Sequence, residues 1–170
     1  VSEGAGVLDV KQWRKIISHC SSLTELFGLR AHMSIFRPEH ATVALATLLR
    51  LLETGNVSLG AEGQKFVGAV LERTGALSIA GEVNNHDMSE ILLSACKLGV
   101  MPSAAAQDAI RGRVEQLAPS FSREQAVCFS RLLTRWRGPP VPEHEHLLLL
   151  AGSTDATRAG SAGDGGAHVL

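Results

Sequence analysis

Apolar residues recur along this chain every three or four positions, the period of a helix buried on one face. Trp13, Ile16, Ile17 and Cys20 form the first such stripe and predict a helix from about Val10 to Cys20. Leu26, Phe27, Leu29 and His32 predict a second over Leu23–Met33, with Gly28 inside it. Pro38 marks a helix start, since proline at the first helical position forfeits no hydrogen bond. The run Ala41–Leu52 behind it is apolar nearly throughout, as in a helix held between neighbours, and Gly55 and Asn56 end it. Ser58 is placed to cap a helix over Leu59–Arg73, with Phe66, Val67, Val70 and Leu71 buried and Gly75 as its stop. The segment Ala76–Asn85 then reads as a loop.

Asp87, with Glu90 three positions later, has the capping-box pattern. It predicts a helix that turns Met88, Ile91, Leu92, Ala95 and Leu98 inward and stops at Gly99. Ser103 starts Ala104–Leu117, which Pro119 closes. Ser122 and Gln125 make another capping box ahead of Arg123–Trp136, with Phe121 as a staple against Ala126. Gly138, Pro139 and Pro140 stop that helix, and Glu145–Ala151 adds a short apolar segment. Beyond Gly152 the chain is Gly, Ala, Ser and Asp, which bury too little to offset their ordering entropy. The expectation is an all-α fold: a helical-repeat domain over residues 1–140, then a Gly/Ala-rich tail over 141–170, disordered or held by a partner.

Composition supports this. The 170 residues are 45% hydrophobic and 19% charged, enough for one domain with a sizeable core. Aromatics are 4% and Tyr is absent, so Leu, Ala, Val and Ile must build that core, which favours helix over sheet. Cys20, Cys96 and Cys128 are an odd, widely spaced set with no CxxC, neither a disulfide framework nor a zinc motif, and fit a reducing compartment. No apolar run reaches membrane-spanning length. The mild opening VSEGAG is what a chain that has lost a targeting peptide would show.

A repeat is visible. Overlaying Met88–Leu98 on Ala126–Trp136, an offset of 38, pairs Ile91 with Phe129, Ala95 with Leu133, Lys97 with Arg135 and Leu98 with Trp136. The best repeat spans 87–125 and the next begins at 126. Ala41–Leu52 is an earlier copy if the Ala76–Asn85 loop holds the extra residues. Met88–Gly99, MSEILLSACKLG, resembles the first-helix signature of the organellar octotricopeptide and FAST-kinase-like helical repeats, a helix of the form LANLLWALAKLG, a short turn and a second helix. The resemblance covers roughly 41–139 and implies a short α-solenoid of stacked helical hairpins that acts on RNA, or within organellar ribosomes, with no catalytic site in the repeats. The chain shows no RAP-type domain, which many members carry, and little of the positive charge of a stand-alone RNA reader. Both departures favour a building block of a larger mitochondrial matrix assembly.

Charge narrows the candidate surface. The net charge is −1, which argues against a non-specific grip on nucleic acid. Yet Lys97–Arg137 holds seven cations against Asp108, Glu115 and Glu124, a surplus of four. Arg111, Arg113, Arg131, Arg135 and Arg137 are the candidate phosphate contacts; the plainer reading is a solvated face with helix-end cations.

No catalytic set is expected. His144 and His146 form an HxH without a third metal ligand at useful spacing. His19 beside Cys20 reads as core packing, and Asn84, Asn85, His86 and Asp87 as turn and cap. There is no P-loop, GxGxxG or GxSxG, and no cofactor or small-molecule substrate is implied. The favoured role is a structural component of the mitochondrial ribosome touching ribosomal RNA and neighbouring ribosomal proteins. The alternative is a protein–protein scaffold of another mitochondrial complex, docking through Ala41–Leu52 and the tail. Convergence of the five arginines on one exposed face with ribosomal RNA opposite favours the first; scattering or pairing with acidic neighbours, with protein covering the repeats, favours the second.

Overall fold

A computed structural model describes residues 8–137, with the side chain of Arg137 left out. The tail at 141–170, the HxH pair and the segment Glu145–Ala151 lie outside the described residues. The fold is all-α: among the described residues there are seven α-helices and no strand. They are α1 (Val10–Ser18), α2 (Leu23–Gly28), α3 (Pro38–Gly55), α4 (Ala61–Ile79), α5 (Asn85–Leu98), α6 (Ala104–Leu117) and α7 (Arg123–Arg137). Short 3-10 helices occupy Leu29–Ile35 and Ala118–Ser120. None of the described helices is long and apolar enough to cross a membrane.

Helix ends follow local chemistry. Asp9 caps α1 in a capping box with Gln12, each backbone N–H donating to the other's side chain at 2.8 Å. Pro38 opens α3, Asn56 ends it in the left-handed region at φ 48°, and Gly99 ends α5 at φ 68°. Ser122 and Gln125 form the expected box at α7: the Ser122 N–H donates to Gln125 Oε1 at 2.9 Å and the Gln125 N–H to Ser122 Oγ at 3.1 Å.

Several local expectations fail: the helix expected over Leu23–Met33 turns 3-10 after Gly28, and α4 runs through Ile79 into the expected Ala76–Asn85 loop. Ser58 caps nothing, because α4 starts three residues later, behind Gly60. Gly75 does not stop α4 but sits inside it, where a Cβ would lie 3.0 Å from the Ala106 Cα, so the missing side chain lets α4 and α6 approach closely. Asp87 is not the cap of α5: Asn84 accepts its N–H at 2.8 Å, and its own carboxylate accepts from Thr42 Oγ1 at 2.8 Å, forty-five residues away. Asp87 is 8% exposed, so that link crosses the core between α3 and α5.

The chain divides into two compact units, Val1–Ile110 and Arg111–Leu170. In the first, α3 packs most extensively on α1 and on α5. His40, 1% exposed and third in α3, accepts the Arg37 N–H at Nδ1 (2.8 Å), which leaves Nε2 to donate to the carbonyl of Val10, first in α1 (2.9 Å). Near its other end α3 sends Arg50 Nη2 to the carbonyls of Ser18 and Cys20, at 3.4 and 3.1 Å. Neighbouring starts and neighbouring ends mean that α1 and α3 run parallel. Helix α4 lies against α2 and the first 3-10 helix, through the Phe27 and Phe66 rings (5.4 Å) and Arg73 Nε on the Phe36 carbonyl (2.9 Å).

The second unit is built around buried Val114, Ala118, Phe121, Ala126, Phe129, Leu132, Leu133 and Trp136. Phe121 meets Phe129 edge-on at 4.9 Å, so the staple works through a ring contact.

The 38-residue offset extends to the helix limits: α5 and α7 begin 38 apart, as do their caps Asn84 and Ser122. Against α3 the offset is 47, and Ala41, Ala44, Leu45 and Leu48 pair with Met88, Ile91, Leu92 and Ala95, all buried. The nine extra residues are not in the loop as expected. Helix α3 is four residues longer than α5 and α4 five longer than α6, while the connections 56–60, 80–84, 99–103 and 118–122 each have five.

Candidate nucleic-acid interface

The five candidate arginines all fall in the second unit. Helix α7 buries Phe129, Leu132, Leu133 and Trp136, and its opposite side faces solvent. Arg131 and Arg135 are exposed on that side, one turn apart, so their side chains are neighbours. Arg137 is the last residue of α7, and its side chain is outside the described set.

Arg111 and Arg113 are placed differently. Both are half-buried on α6, and two positions along a helix turn them roughly 200° apart. Arg111 Nη2 donates to the Leu133 carbonyl at 3.1 Å. That carbonyl lies near the C-terminal end of α7, where a cation suits the helix dipole. Arg113 Nη1 donates to Gln116 Oε1 at 3.0 Å. The structure therefore brings Arg131 and Arg135 together, turns Arg111 onto the backbone of the helix carrying them, and points Arg113 elsewhere.

Set against protein-family models, curated proteins and solved structures, the chain matches none.

Residues 111–137 hold six arginines against Glu115 and Glu124, so this segment is basic within a chain of net charge −1. Among the described residues, no three His, Cys, Asp or Glu side chains are grouped to hold a metal. An open groove of about 470 Å³ runs between α4 and the α5–α6 turn, past Gln64, Gly68, Val100 and Met101; its one charged lining residue, Lys65, pairs with Glu62 at 3.3 Å. Cys20 is 6% exposed, and burial, then the charge of Glu25, pushes its thiol up against the lowering pull of Arg50. Burial and the raised thiol suit a packing role for Cys20.

One basic surface escaped the sequence reading. Lys11, Arg14 and Lys15 are all exposed on α1. Their i, i+3, i+4 spacing is the signal the sequence offers for them.

Proposed function

We propose that this chain is a structural, RNA-contacting helical-repeat component of a larger assembly, of which the mitochondrial ribosome is the type that its repeat resemblance suggests. Its helices form a short α-solenoid, and ribosomal RNA and neighbouring ribosomal proteins are its partners in the matrix. The parallel packing of α1 and α3, the shared buried positions of α3, α5 and α7, and the uniform five-residue connections support the solenoid reading. The RNA contact rests on one observation: Arg131 and Arg135 stand exposed, side by side, on the solvent face of α7. Guanidinium groups so placed suit phosphate oxygens, and contact of this kind positions a protein on RNA without reading its sequence. Arg111 acts indirectly, by holding the end of α7.

The internal contacts of Arg111 and Arg113 favour the second reading, a protein–protein scaffold without RNA. Ultraviolet cross-linking of the chain in its native assembly, followed by peptide mapping, separates the two. RNA adducts within 123–137 are the expected result; adducts to protein alone would sink the RNA reading.

A further inference from the structure

We infer that the solvent face of α1 is a second phosphate-contact surface, formed by Lys11, Arg14 and Lys15, and that it binds the RNA backbone. This rests on the RNA reading above but on a different helix and different residues. All three cations are exposed, and their spacing sets them on one face. No acidic residue follows the Asp9 cap within α1. Ser18 shares the face, its hydroxyl bonded to the Lys15 carbonyl, and the Arg50 guanidinium lies at its far end on the Ser18 and Cys20 carbonyls.

The surroundings choose among anionic partners. A basic amphipathic helix that binds a membrane must insert its apolar face, and here that face is occupied: Ile17 is 0% and Cys20 6% exposed beneath α3. A protein partner needs an apolar centre to its interface, whereas this stripe is polar throughout, and the exposed Val10 and Ile16 lie on its flanks. Phosphate contact needs no apolar anchor. Lys and Arg on a rigid, capped helix are sufficient for it.

The test uses the full chain and a fluorescein-labelled, mixed-sequence single-stranded RNA of about 20 nucleotides, titrated over a salt series. The triple variant K11E/R14E/K15E is expected to bind about tenfold more weakly at moderate salt. It should also flatten the slope of log affinity against log salt by about 2, the share of three released counterions. Circular dichroism should be unchanged, because these side chains are exposed. The variant R131E/R135E runs beside it. If only the α7 variant loses affinity, this inference falls and the proposed function stands. If the wild-type chain binds no RNA, both fall. Binding of poly-glutamate with none of RNA would replace the inference by an acidic protein partner.

Discussion

Both units divide their arginines between the scaffold and the surface, in different proportions. In the first, Arg50 and Arg73 are spent on main-chain carbonyls, of Ser18 and Cys20 and of Phe36, and Arg37 pairs with Glu82 at 3.1 Å. In the second, Arg111 does the same for Leu133, while Arg131 and Arg135 are exposed on the outer side of α7. A guanidinium seated on carbonyls is part of the scaffold, and its loss is felt as stability. One exposed at the surface contributes less to stability. Arginine count alone does not separate the two; the contacts do.

The largest effects lie in the two cores. Phe129→Ala removes a ring packed edge-on against Phe121 and should cost about 3–5 kcal/mol, read by urea denaturation. A cost below about 1 kcal/mol would show that the second unit does not depend on that pair. In the first unit His40→Ala strands the Arg37 N–H and the Val10 carbonyl and should cost about 2–3 kcal/mol. Hydrogen exchange should accelerate first in α1, the helix His40 holds. His40→Glu separates the two bonds, because a carboxylate still accepts the Arg37 N–H but cannot donate to Val10.

Arg50→Ala should cost about 1 kcal/mol through its bonds to the end of α1. The smallest effect concerns Cys20. Its folded thiol is held above its unfolded value, so the stability this brings is full below about pH 8.5 and is lost as pH rises through the folded value. A disulfide reagent at pH 8 should label Cys20 more slowly than an unfolded thiol, and Arg50→Gln, which removes the lowering charge, should slow it further. Equal labelling of Cys20 in folded and urea-unfolded chain would contradict its burial.

Local rules made most of the helices legible. Pro38, Gly99 and the Ser122–Gln125 box announce their ends because each acts within one turn of itself. The failures come from distant partners. Asp87 and Asn84 are both capping residue types, and only Thr42, from another helix, takes the carboxylate of Asp87. Gly75 reads as a terminator until Ala106 is placed against it. The candidate arginines divide on the same ground: nothing near Arg111 in sequence shows that Leu133 receives it, whereas Arg131 and Arg135 stand outward by the same period that buries Phe129 and Leu133. The stripe on α1 was legible throughout, since its spacing is local.

The division of labour among the arginines is tested most directly by measuring the urea midpoint and RNA retention together in two charge-reversed pairs, R131E/R135E and R50E/R73E. The account predicts that the first keeps its midpoint, within about 0.5 kcal/mol, and loses RNA, while the second loses stability. An R131E/R135E chain that retains RNA in full, or unfolds as readily as the other pair, would contradict it.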